Sequence, residues 1–396
     1  MDVIDVYAPM GEPAAPAPAA PAAAPRPCRL KFTGTGEEYL RIWIVNLLLT
    51  IVTLGIYSAW AKVRKLQYFY RNTNLDGSGF DYHGDPVAIL KGRILAVLLL
   101  VLYKLSVTLL GTFALIAVLA LFAVLPWLLT QSYRFRLHNS SYRGLRFGFR
   151  GPAWQAYLIF GVPLLLVLGP GVLAAWLGVE GDPKHPDKRI LLATGVAYLA
   201  LTVLVPYLHF SFKRWQHNHA YYGKARAHFQ AGAWDFYAPY LAAGVMMLAA
   251  ITAGGVLLGA IGYASAGHGD ARKVGIAAGL LFVVLVYGVL LTVAPFVTAR
   301  IQNAVWSGTR LEGVGFGSDV RAARLVGITL TNLLIVLFSL GLLIPVAVIR
   351  LMKYKVESIQ VLDADALGQF VAEAAQAGVG AAGEGAVDVM DIDFGL

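Results

Sequence analysis

Long apolar stretches alternate with short polar ones along the chain, at residues 40–61, 94–129, 154–178, 190–212, 234–263, 274–298 and 325–348. Most reach the roughly 20 residues that a helix needs to cross a bilayer core. The 36 residues of 94–129 would make one helix about 54 Å long, too much for one crossing, so two short spans are expected with a turn near 105–111. Charge agrees: one crossing would put Arg134, Arg136, Arg143, Arg146 and Arg150 across the membrane from Lys62, Arg64 and Lys65, against the positive-inside rule. The first stretch breaks at Gly55 and the last at Gly341. Ahead of the first, residues 29–33 alternate polar and apolar before Gly34 and Gly36, which predicts a short strand and a turn.

The polar segments carry a pattern of their own, Asn-x-x-(aromatic or Leu)-x-Gly. Its four copies are Asn72/Leu75/Gly77, Asn139/Tyr142/Gly144, Asn218/Tyr221/Gly223 and Asn303/Trp306/Gly308. The first two extend in step to Phe80/Tyr82/Gly84 and Phe147/Phe149/Gly151, and the last two need insertions to reach Phe229/Gly232 and Phe316/Gly317. Asn and Gly suit a turn with positive φ, and an aromatic at every second position suits a strand burying one face, so each copy predicts a β-hairpin. The copies are either turns between helices or parts of a shared β-rich cap, since a lone hairpin is marginal in water. A second match links the ends of the apolar region: Asn46, Leu54, Gly55, Arg64 and Tyr68 recur 286 residues on as Asn332, Leu340, Gly341, Arg350 and Tyr354.

Composition settles the class. Of 396 residues 58% are hydrophobic and 14% charged, against about a quarter charged in soluble domains, so the chain is an integral membrane protein with the lipid bilayer as its first partner. The net charge of +9 is gathered beside apolar stretches, which points to anionic lipid headgroups rather than nucleic acid. If the first and last stretches dip in and return, 26 basic residues share the hairpin side and 6 face the other. That imbalance favours six spanning helices plus two re-entrant hairpins, with both termini cytoplasmic, over eight spanning helices. The expected fold is an all-α polytopic membrane protein with short cytosolic β-hairpins. It comprises an Ala/Pro linker over 1–28, one membrane domain over 29–362 and an acidic flexible tail over 363–396, for which a helix around 367–375 is the alternative.

Chemistry is sparse. Cys28 is the lone cysteine, and no phosphate loop, zinc helix, nucleophile elbow or cofactor fingerprint appears, so no catalytic, cofactor or metal residue is assigned and no enzyme is expected. His209, His217, His219 and His228 gather near one hairpin, where interfacial histidines explain them better than a metal. Interrupted helices at both ends of a membrane domain are a pointer to a transporter site. On that reading Asn46, Thr50, Thr53, Gly55, Asn332 and Gly341, with Thr329 and Thr331, line a pathway. On the other, the same groups bond between helices. The expected function is a transporter or channel-like protein. The alternative is a non-transporting scaffold or regulator whose acidic tail, ending DIDFGL, engages a protein partner.

The run IWIVNLLLTIVTLGIYSAWAKVRKLQYFYRNT, the following FDYHGDP, the NSSYRGLRF segment and the DIDFGL ending together resemble the YjgN family of bacterial inner-membrane proteins, a domain of unknown function. The resemblance covers nearly everything after the linker. It implies a multi-pass protein of the bacterial inner membrane and carries over no catalytic residue.

Overall fold

The computed structural model describes residues 27–110, 114–178, 187–265 and 271–376. Five times the chain runs strand, helix, helix, strand. The first unit holds β1 (Cys28–Arg29), β2 (Lys31–Phe32), α1 (Gly36–Val52), α2 (Ser58–Arg71) and β3 (Thr73–Leu75). The second holds β4 (Ser78–Tyr82), α3 (Pro86–Leu110), α4 (Ala114–His138) and β5 (Ser140–Tyr142). The third is β6 (Leu145–Phe149), α5 (Ala153–Trp176), α6 (Lys188–Asn218) and β7 (Ala220–Tyr222). The fourth is β8 (Ala225–Phe229), α7 (Trp234–Ser265), α8 (Ala271–Ser307) and β9 (Thr309–Leu311). The fifth is β10 (Val314–Ser318), α9 (Ala322–Phe338), α10 (Ile344–Glu357) and β11 (Ile359–Val361), and α11 (Ala364–Gln376) follows it.

The strands make one antiparallel sheet in the order β1-β11-β10-β9-β8-β7-β6-β5-β4-β3-β2. Only Leu30 separates β1 from β2, and its amide bonds the Ile359 carbonyl at 3.0 Å. The same extended segment therefore pairs with β11 on one side and β3 on the other, closing the sheet into a barrel. The fold is therefore not all-α: the hairpins join in one shared cap, the second of the two arrangements their pattern allows, and the cap is closed. A two-stranded hairpin leaves both edges open, and pairing edge to edge around a circle removes them all.

The barrel is solid. The last residues of β3, β5, β7, β9 and β11 are Leu75, Tyr142, Tyr222, Leu311 and Val361, and all five are buried in one cluster. Phe80, Phe147, Ala227 and Phe316 sit opposite the last four of these across the strand pairs and pack into the same cluster. Phe80 stacks on Tyr142 at 4.7 Å, and Phe147 lies 4.9 Å from Tyr222. Leu367 and Phe370 of α11 add to this core, so the stretch that sequence pattern sets as acidic tail begins as a packed helix up to Gln376. Its apolar 366, 367 and 370 positions recur at helical spacing, which is why it folds against the sheet. The DIDFGL ending and most of the Ala/Pro linker lie outside the described residues.

The helices form a ring over the barrel: each packs on the next, and α10 packs on α1. An apolar cluster fills every junction between neighbouring helix pairs. Phe32, Tyr82, Phe149 and Phe229, at the helix end of the barrel, each anchor one. Among the described residues four helical segments are long and apolar enough to cross a membrane: Ala153–Ala174, Lys188–Asn218, Trp234–Ala264 and Lys273–Ser307. The expected division of 94–129 is present as α3 and α4, 25 residues each. The first and last helix pairs are shorter, with 17 and 14 residues apiece, or about 26 and 21 Å against a core of about 30 Å.

Candidate functional site

The two short helix pairs are the most distinctive local structure, and they are built alike. In α1/α2 the first helix ends on Thr53, and Leu54 and Gly55 take positive φ of 50° and 93°. In α9/α10 the helix ends on Ser339, and Leu340 and Gly341 take 51° and 86°. The Gly55 amide reaches back to the Thr50 carbonyl and the Gly341 amide to that of Val336, each at 2.8 Å, which satisfies carbonyls a helix end leaves open. The Thr53 hydroxyl accepts the Tyr57 amide at 2.9 Å, and the Ser339 hydroxyl accepts that of Leu343 at 3.1 Å. Every backbone amide from Thr53 to Ser58 and from Ser339 to Ile344 is thereby bonded inside its own turn. The tips are apolar and open, with Leu54 95% and Leu340 93% exposed.

Behind each tip lies a buried asparagine. Arg64 donates from Nη1 to the Asn46 Oδ1 at 3.5 Å and to the Tyr57 hydroxyl at 3.0 Å. Arg350 donates to the Asn332 Oδ1 at 2.8 Å and to the Thr331 hydroxyl at 3.2 Å, while the Asn332 amide donates to the Ala347 carbonyl at 2.9 Å. Thr50, Thr53, Thr329 and Thr331 give their hydroxyl hydrogens to carbonyls one turn back in their own helices. The asparagines and threonines thus bond within each helix pair. Further down, the Tyr68 hydroxyl brackets the backbone of Thr35 and the Tyr354 hydroxyl that of Arg321, at the first turns of α1 and α9. The 286-residue match contains both tyrosines and both arginines. What pattern alone missed is the capping pair Thr53 and Ser339, which occupy matching positions but differ in residue type.

The hairpin markers divide. Asp76-Gly77 and Arg143-Gly144 are two-residue turns with both φ positive, as a type I′ hairpin requires. Asn72 and Asn139 close the preceding helices by donating to the Tyr68 and Phe135 carbonyls, at 2.9 and 2.8 Å. In the third hairpin Gly223 is the first turn residue, with Tyr222 rather than Tyr221 ending the strand, and Asn218 accepts the Phe229 amide at 2.6 Å. In the fourth the turn is Glu312-Gly313, five residues beyond the expected Gly308. Helix α8 runs on to Ser307, and Gly308 is small because a Cβ there would meet Ala231 at 2.6 Å. Asn303 instead clasps Val320 through both backbone groups, at 2.9 and 3.0 Å.

The histidines are placed apart. His209 meets the Tyr240 hydroxyl at 3.0 Å, His217 the Thr309 hydroxyl at 3.0 Å and His219 the Trp215 carbonyl at 2.9 Å. Among the described residues no three His, Cys, Asp or Glu side chains gather as a metal group. Inside the barrel, burial pushes the phenols of Tyr142 and Tyr222 above their ordinary range.

The family model described as "Bacterial protein of unknown function (DUF898)" matches residues 27–389. The chain belongs to the DUF898 family. Curated relatives are each named "Inner membrane protein YjgN": 32% identical over 146 residues in Salmonella typhimurium strain LT2, covering 35% of this chain and 36% of the relative. In Escherichia coli O157:H7 the match is 32% over 184 residues, 44% of each chain, and in strain K12 it is 31% over 172 residues, 41% of each. The matched regions span less than half the length of these relatives. No solved structure matches.

Proposed function

We propose that this DUF898 protein is a non-transporting scaffold of the bacterial inner membrane, with six spans, two re-entrant helix pairs and a solid barrel standing on the cytoplasmic side as a docking platform. The filled barrel carries the reading: five buried residues, the aromatics opposite them and α11 leave its axis occupied by side chains. The re-entrant arrangement rests on the short helix pairs, whose turns satisfy their own amides and so meet the demand that lipid-exposed backbone be bonded internally. Both termini leave the barrel at the β1–β11 seam, on the cytoplasmic face in this arrangement.

The deciding experiment is reconstitution in liposomes with a screen of ion and small-solute flux. Impermeable vesicles are expected. A flux abolished by Asn46→Leu combined with Asn332→Leu would establish instead the transporter reading, in which those residues line a pathway.

A further inference from the structure

Lysines and arginines from five helices converge where the helix ring meets the barrel. Lys213 on α6 lies in the electrostatic field of Arg136 on α4 and Lys355 on α10. Lys62 on α2 lies in that of Arg93 on α3 and of the same Arg136. Three helices stand between α6 and α10 around the ring, and no close packing joins the two. Lys213 and Lys355 share a field because both turn toward the middle. Neighbours in sequence pack into the junction clusters, Val63 beside Lys62, Phe135 beside Arg136, Phe212 beside Lys213, and Tyr354 and Val356 on either side of Lys355, which leaves the four cations about 100° around their helices from those junctions.

Four of the five, Lys62, Arg93, Lys213 and Lys355, are half-buried. Neutral groups serve two of them: Lys213 donates to the Gln216 Oε1 at 3.0 Å, and Arg93 donates to the Ser58 hydroxyl. Among the described residues none of the five joins an ion pair. Gathering like charges away from water is unfavourable unless an opposite charge is supplied.

We propose that this cluster is an anion site that takes a phosphate group, carried by a phospholipid headgroup or free in solution. Cations approaching from several helices suit an oxyanion with three or four acceptor oxygens better than a single carboxylate. The apolar helix ring on one side and the barrel on the other place the site where a headgroup phosphate resides. The site is independent of whether the protein carries solutes.

The test uses the full chain in neutral detergent micelles, with inorganic phosphate as the first probe and sodium chloride at matched ionic strength as control. Phosphate is expected to raise the melting temperature in a concentration-dependent way and chloride to leave it unchanged. Lys213→Gln and Lys355→Gln should each weaken phosphate binding about tenfold or more. In phosphate-free buffer they should melt at or above wild type, since repulsion is relieved, and below it in saturating phosphate. A merely structural lysine would not produce that reversal. Lys213→Arg should restore binding, and Lys224→Gln on the barrel exterior should bind as wild type. Native mass spectrometry from phosphatidylglycerol nanodiscs separates the sources: retention of that lipid by wild type and its loss in the Gln variants assigns the headgroup, whereas phosphate binding without retained lipid assigns the free ion. If neither probe distinguishes wild type from both Gln variants, the proposal is overturned.

Discussion

Tyr222 donates its hydroxyl hydrogen to the main-chain carbonyl of Tyr142 at 2.9 Å, and Tyr142 does the same to Leu75 at 2.9 Å. Each phenol thus reaches the equivalent strand end in the preceding unit, stitching the barrel core from inside. Tyr222→Phe removes one such bond at a buried site without changing the packing. A loss of about 1–2 kcal/mol is expected, read as a lower melting temperature in micelles. An unchanged temperature would show that the hydrogen bond contributes nothing net.

The glycines two residues after Phe32, Tyr82 and Phe149 at the helix end of the barrel have a steric reason, whereas Ala231 takes that place after Phe229. A Cβ at Gly84 would lie 2.4 Å from the Tyr82 hydroxyl oxygen, and one at Gly151 2.3 Å from the Phe149 ring. Both rings are buried and cannot swing away. Gly84→Ala should destabilise by about 1–3 kcal/mol, whereas Gly77→Ser, at an open turn, should cost only its backbone strain. Thermal melting of the pair of variants checks the order.

The two buried asparagines are not equal. Asn332 holds Arg350 at 2.8 Å and also the Ala347 carbonyl, while Asn46 holds Arg64 at 3.5 Å. Asn332→Leu should therefore cost more than Asn46→Leu, by about 1–2 kcal/mol, because it removes two well-formed hydrogen bonds and the other removes one long one. Equal losses in denaturant titration would contradict that ranking.

Acid should loosen the barrel seam. The Asp319 carboxyl is held below the usual carboxylate range chiefly by the side-chain hydrogen bond from Arg29, with the guanidinium charge adding to it. A depressed pKa contributes stability that is fully present above the ordinary Asp value of about 4 and is lost as pH falls through the lower folded value. The pair is half-exposed, so the effect is small. The melting temperature should fall below about pH 4 by more in wild type than in Asp319→Asn, which lacks the titrating carboxylate; equal falls would remove the pair's contribution.

Much of this was readable from residues. The break at Gly55, its counterpart at Gly341, the first two hairpin turns and the strand around Leu30 all appear where pattern places them, because Gly at positive φ and period-two alternation are local signals. Barrel closure was not readable. Nothing local in Cys28–Phe32 says that its two edges pair with strands more than 280 residues apart in sequence, near Asn74 and Gln360. Gly308 misled for a related reason: its Asn-x-x-aromatic-x-Gly spacing marks the end of a longer helix, and the true turn at Gly313 lacks the asparagine. The cation cluster was invisible because its members are scattered along the chain and only the ring brings them together.

The segment that bends at Leu30 also sets the order of assembly. It is made long before its second partner, Ile359–Val361. Until synthesis reaches that strand, β1 and β10 each present an unpaired edge. A nascent chain or a fragment cut before Ile359 therefore carries two adhesive edges at once, each free to pair with the other or with a second incomplete chain.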